Sequence, residues 1–292
     1  MFNRLDTTKQ VFEAIRKAKP PRLYIAADGA RESKVDEDEK VKAVRDYIMS
    51  NIDWDCEVQT LFREKNLGCK IAVSSAIDWF FENEEMGIIL EDDCLPSQSF
   101  FWFCEELLEK YKNDMRVGQI SGDNFQNGIK RGDADYYFSI YNHIWGWASW
   151  ANRWEKYDVE LNNIKDTVFI DDLILEKTTK LHWIKVLRKM KQKKIDTWDY
   201  QWTFTLWNNK QLTVLPNVNL VENIGFGIDA THTQGESEFA NLKSYGLVLK
   251  NHPIKVLRNY EADEFTSRLI FNQKSIFIRI VDKLKKIIGT QL

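Results

Sequence analysis

The chain has 292 residues, of which 43% are apolar and 29% charged, with a formal net charge of −3. That composition can bury a large core, which sets aside intrinsic disorder, and it provides no broad basic field of the kind a general nucleic-acid binder needs. No run approaches the roughly 20 apolar residues that a bilayer-spanning helix requires. The N-terminal MFNRLDTTKQ has no apolar leader core, and Cys56, Cys69, Cys94 and Cys104 show neither CxxC nor zinc-like spacing. These features together read as a soluble or peripheral protein of a reducing cytoplasm.

In chain order, Thr7 and Gln10 suggest a capping box for a short helix carrying Val11, Phe12 and Ile15, which Pro20-Pro21 stops. LYIAADGAR reads as a strand running into a turn at Asp28-Gly29. Val41, Val44 and Ile48 fall at helical spacing, CEVQTLF is a second strand, and Cys69 to Phe81 an amphipathic helix. GIIL, Gly87 to Leu90, is a short, wholly apolar strand of the type buried on both faces. Ser97 or Ser99 can cap a helix reaching Tyr111, and VGQISG is a further strand. The alternation up to Gly122 predicts a mostly parallel sheet covered by helices. Beyond it, YYFSIY alternates like a hairpin strand and WGWASWANRWEKY reads as a Trp-rich helix start. Residues 171–194 and TWDYQWTFTLW read as helices, and LTVLP and NLVENIGFG as strands. The expected division is a nucleotide-binding half over 1–122, an acceptor-side half over 123–260, and a C-terminal helix over 261–292.

Glu91-Asp92-Asp93 directly follows GIIL. Three adjacent carboxylates at a strand end raise one another's pKa unless a cation or donors compensate, and open α/β folds place their ligands at that edge. Oxygen ligands select Mg²⁺ or Mn²⁺, which bind few carboxylates and complete their shell with phosphate oxygens and water. A solvated acidic turn at the start of the next helix is the plainer alternative.

LEDDCLPSQSFFWFCEELLEKY resembles the metal-binding segment of GT-A glycosyltransferases, where an acidic DxD-type motif ends a strand and a Pro-containing helix start follows. More closely it resembles the inverting N-acetylglucosaminyltransferases that initiate complex N-glycan branching, and bacterial haemolytic-protein-like glycosyltransferases. LYIAADGAR, FREKNLGCKIAVSSAIDWFF, GQISGDN, HIWGWASWANRWEKYD, TWDYQWTF and NIGFGIDATHT resemble further segments of that family in the same order, across Leu23 to Thr233. The resemblance implies a GT-A, Rossmann-like α/β fold with a mostly parallel central sheet flanked by helices and a fused acceptor-side half.

It also implies roles. Asp93 would be the direct metal ligand, with His232 on the metal or the diphosphate, and Glu91 and Asp92 would face the donor sugar and ribose. Asp28, with Ala27, would hold the nucleoside. Arg31 and Arg63 are candidates for uracil or pyrophosphate contact, each equally readable as a salt-bridge residue. Asp199 would be the base that takes the acceptor hydroxyl proton, its pKa raised by Trp198, Tyr200 and Trp202 around it. Asp123, a donor or acceptor contact, and Asp229 are the runners-up. Trp145 and Trp147 could offer an apolar face to an acceptor sugar, or could be core. The implied partners are a nucleotide-sugar donor, a UDP-sugar and by leaning UDP-GlcNAc, and a saccharide or lipid-linked acceptor of a bacterial surface glycan.

Rival readings fit less. A sugar-phosphate nucleotidyltransferase needs a Gly-rich phosphate loop that AADGARESK does not supply, and a two-metal phosphatase needs further acids at other strand ends. A non-catalytic carbohydrate-binding protein would leave the acidic run without a purpose. From Ile276 the tail IFIRIVDKLKKIIG places apolar residues opposite basic ones, which suits either a membrane surface or intramolecular packing.

Overall fold

The structure is a computed structural model that describes residues 1–174, 176–226 and 242–271. It is mixed α/β, a central sheet flanked by helices. Helix α1 (Leu5–Ala18) leads into β1 (Arg22–Ala27), then α2 (Glu37–Asn51), β2 (Glu57–Phe62), α3 (Gly68–Asn83) and β3 (Met86–Ile89). A short β4 (Cys94–Pro96), α4 (Gln98–Tyr111) and β5 (Val117–Ser121) follow. Next come β6 (Tyr136–Ser139), β7 (Trp147–Trp150), α5 (Ala151–Trp154), α6 (Val168–Leu173), α7 (Lys177–Lys191) and α8 (Asp199–Asn208). The chain continues through β8 (Leu212–Pro216), β9 (Val221–Asn223) and α9 (Tyr260–Thr266), and the last described element is a π turn over Ser267–Phe271. No helix among the described residues is long and apolar enough to cross a membrane.

The expected parallel sheet is replaced by three pieces. β1 and β2 pair in parallel; β3-β7-β5-β8-β6 form a mixed five-stranded sheet; β4 pairs with β9 antiparallel. β7 runs antiparallel to both β3 and β5, so a strand from beyond residue 122 is interleaved between two strands from before it. The two halves read from the sequence therefore share one sheet. WASW, read as helix, is strand β7, because all four of its residues are buried between β3 and β5, where ladder pairing outweighs local propensity.

The helix-start reading also changes. α1 begins at Leu5, and the Thr7 and Gln10 side chains bond back to the carbonyls of Arg4 and Asp6 rather than forming a capping box. Ser97 stands at the N-cap of α4 with its hydroxyl on Ser99, 3.1 Å away, and makes no side-chain cap bond.

The core explains the tryptophans. Trp147, Trp154, Trp198 and Trp202 are buried together with Ile77, Phe81 and Leu206. Trp147 stacks on Trp198 at 5.8 Å between ring centroids, and the Trp202 indole donates to Gln119 Oε1 at 2.6 Å. Burial of several aromatic rings at 150–250 Å² each makes this cluster a main source of stability. Arg153, also fully buried, donates to the carbonyls of Tyr111, Lys112, Asp114 and Val117 and lies over the Trp150 ring. The guanidinium thereby ties the end of α4 to the start of β5.

Candidate active site

The carboxyl ends of β1 and β3 open on one cavity of about 1610 Å³. Its lining includes Ala27, Asp28, Arg31, Arg63, Glu91, Asp92, Asp93, Trp145 and Asp199, so most of the residues singled out in the sequence meet here. Asp123 and Trp147 are not among them. His232 and Asp229, and the tail helix from Ile276, lie outside the described residues.

The acidic run divides into three environments. Glu91 sits deep, and burial, then the charges of Asp93 and Asp92, push its pKa up to about 8; Asp199 adds to the rise. Asp92 is buried, accepting Phe2 N at 3.0 Å on Oδ2 and the Arg4 guanidinium at 2.6 Å on Oδ1. Asp93 Oδ2 lies 3.0 Å from the same guanidinium, and its carbonyl accepts Ile224 N at 2.8 Å. Burial alone would lower the pKa of Arg4, but Asp92 and Asp93 reverse that and hold it above its usual value.

Arg4 thus supplies the compensating cation that the run demanded. Sequence reading missed it because it is about ninety positions away, just before the first helix.

Asp28 is tied down by backbone donors. Its carboxylate accepts Gly29 N, Leu67 N and Gly68 N at 3.0–3.1 Å, which fixes the start of α3 against the end of β1. Gly29 belongs to this close approach: a Cβ there would fall 2.5 Å from the Lys65 carbonyl carbon. Arg45, also missed, donates to the carbonyls of Asp28 and Arg63 at 3.0 and 2.7 Å and so ties the ends of β1 and β2 together. Arg31 pairs with Glu37 and lies over the Phe2 ring, while Arg63 donates to Ser75 Oγ at 2.8 Å.

Asp199 opens α8 and accepts the Thr197 hydroxyl. Its charge reaches the acidic run through Glu91 and also bears on Cys69. Burial, followed by Glu91, Asp199, Asp196 and Asp28, pushes the Cys69 thiol up to about 12. Four carboxylates from three separate segments therefore act on that one thiol.

Asp123 lies beneath the site. It is fully buried, its Oδ2 accepts Trp145 N at 3.1 Å and Ser121 Oγ at 3.3 Å, and its Oδ1 has no hydrogen-bond partner. Burial pushes its pKa up to about 8, against those two bonds. It positions the Trp145 backbone rather than facing the cavity. Trp145 keeps a partly open ring, edge-on to Phe125 and Phe226. Trp147 is fully buried in the tryptophan cluster, so no sugar ring can reach it.

Among the described residues, no group of three His, Cys, Asp or Glu side chains is arranged to hold a metal ion alone. The chemistry of the donor set suits a shared ion instead. Asp93 offers hard oxygens, and Mg²⁺ or Mn²⁺ needs only one or two carboxylates when phosphate oxygens supply the rest; Arg4, paired to Asp93 Oδ2 at 3.0 Å, would have to give up that oxygen to the ion.

No family model matches the chain, and no curated protein matches it. Among solved structures it is similar to the mannosyltransferase PcManGT from Pyrobaculum calidifontis in complex with GDP-Man and Mn²⁺. That likeness has 10% sequence identity and a TM-score of 0.39, and it covers 71% of this chain and 67% of that one. Similarity at this depth leaves the assignment of activity to the residues of the site.

Proposed function

We propose that the protein is a metal-dependent, inverting glycosyltransferase that moves a sugar from a nucleoside diphosphate, with UDP-GlcNAc as the favoured donor. The acceptor would be a hydroxyl of a saccharide or lipid-linked glycan in bacterial surface polysaccharide synthesis. One observation carries the reading. Asp28, the Glu91-Asp92-Asp93 run and Asp199 line a single cavity, with the cations Arg4, Arg31 and Arg63 around its nucleotide end.

In this reading Ala27 and Asp28 take the nucleoside, and Glu91 and Asp92 meet the ribose and donor sugar. Asp199 accepts the proton of the acceptor hydroxyl as that oxygen bonds to the anomeric carbon. The bond from that carbon to the diphosphate breaks, and the leaving charge develops beside Arg4. A Mn²⁺ or Mg²⁺ ion held between Asp93 and the diphosphate would act as the Lewis acid. Glu91, whose pKa is raised by burial and by Asp93 and Asp92, would hydrogen-bond a donor hydroxyl. Trp145, the open ring, offers the acceptor an apolar face.

The test is a panel of nucleotide sugars with Mn²⁺ or Mg²⁺ and no acceptor, read as slow release of nucleoside diphosphate. Release from UDP-sugars that stops in EDTA and in Asp93→Ala supports the reading. Absence of binding to every nucleotide sugar sinks it.

A further inference from the structure

The cavity extends well beyond the acidic run, along a slot between β1 and β3. β1 is paired only with β2, and β3 only with β7, so among the described residues neither strand has a partner on the edge that faces the slot. Leu23 and Ile25 of β1, Ile88 of β3, Phe12 of α1, Ile77 of α3 and Phe101 of α4 line it. Open strand edges inside a helix-covered sheet are costly, because their amides and carbonyls lack partners.

Burial along the sheet shows the same gap. All four residues of β3 are only half-buried, although the sequence MGII belongs to a strand covered on both faces. β5, three strands into the same sheet, is buried at every position.

The hydrogen bonds identify which way an occupant would run. Ala27 O accepts Arg63 N on the β2 side, at 3.0 Å, whereas Ala26 O accepts Met1 N on the slot side, also at 3.0 Å. Backbone groups alternate between the two edges of a strand, so the amides of Tyr24 and Ala26 face the slot. One residue further on, Phe2 N reaches Asp92 Oδ2. Met1 and Phe2 therefore bridge the carboxyl ends of β1 and β3, at the mouth of the slot, and lead out of it toward α1.

We propose that the slot seats one further β-strand, parallel to β1 and β3, formed by polypeptide joined to the N-terminal side of Met1. A strand between two others adds about 4.8 Å to each side, and five or six residues extend about 17–20 Å, the length of β1. Both of its faces meet helices, so it is apolar throughout and rich in Val, Ile and Leu. Its insertion joins the β1-β2 pair to the five-stranded sheet as one continuous sheet. It also delivers Arg4 to the acidic run from the end of a strand rather than from a loose segment. The proposal stands apart from the glycosyltransferase reading, since it concerns only strand edges.

The test compares the 292-residue chain with the same chain preceded by eight residues of Val, Ile and Leu, and with a control preceded by eight residues of Gly and Ser. The apolar extension is expected to raise Tm by roughly 5 °C or more. It should also slow hydrogen exchange at Tyr24 and Ala26 by about tenfold or more. If the extended chain is not recovered in soluble form, the same apolar octapeptide added in trans is expected to give the same rise. An unchanged Tm, or an equal rise with the Gly/Ser control, overturns the proposal. So does a dimer of the unextended chain in which the β1 amides are already protected, because a second copy would then fill the slot.

Discussion

Gly225 packs so tightly against Asp93 that a Cβ on the glycine would fall 2.0 Å from the Asp93 Oδ2 oxygen. The loop after β9 is thus moulded to the carboxylate proposed as the metal ligand. Gly225→Ala must move either that loop or the carboxylate, at a cost of about 1–3 kcal/mol typical of overpacking. The expected result is a small fall in Tm with a much larger fall in Mn²⁺-dependent UDP binding, read by calorimetry. Unchanged Mn²⁺-dependent binding would separate Gly225 from the site.

Asp199→Asn keeps shape and removes the base. Transfer is expected to drop by about 10²–10⁴-fold, the usual contribution of a positioned base, with UDP affinity nearly intact. A variant that transfers sugar at the normal rate would move the role elsewhere, Asp229 being the next to try.

Asp123 gives a stability profile with a defined sign. Its folded pKa, about 8, lies above the ordinary 3.8, so between those values the unfolded chain binds fewer protons than the native protein. Stability contributed at this residue is therefore complete below the lower value and is lost as pH rises, by up to about 1.4 kcal/mol per pH unit, until the loss levels off above the upper one. Asp123→Asn can still accept from Trp145 N and Ser121, and does not ionise. Urea melts of the two proteins from pH 5 to 9 should diverge, the variant holding its stability as pH rises. Parallel curves would show that Asp123 ionises freely.

Trp145 and Trp147 should behave differently despite their spacing of two. Trp147→Ala opens a hole in the tryptophan cluster and is expected to cost about 3–5 kcal/mol in a denaturation experiment. Trp145→Ala is expected to leave the fold largely in place and to raise the acceptor KM. Equal stability losses would place Trp145 in the core as well.

The sequence reveals local features more readily than long-range pairing. The acidic run, the turn at Asp28 and the helix opening at Asp199 each have a local signature, and those residues meet in the cavity. Strand β7 was hidden because its tryptophans look the same on a helix or a strand, and only pairing with β3 and β5 decides between them. Arg4 and Arg45 were hidden for a related reason. Each acts on groups brought near by the fold, Arg4 on Asp92 and Arg45 on the Arg63 carbonyl, and no spacing rule links them. The role of Asp28 at the start of α3 follows the same logic, since its partners are backbone amides about forty residues away.

One tryptophan joins the two sides of the site. Trp147 sits opposite Ile89, two residues before Glu91, and its ring stacks on Trp198, the residue before Asp199. The strand that leads into the acidic run and the turn that carries the proposed base are therefore tied to one another through the same residue. A change of ring at position 147 is therefore expected to be felt on both sides of the cavity at once, so a residue that never touches a sugar can set how this site is tuned.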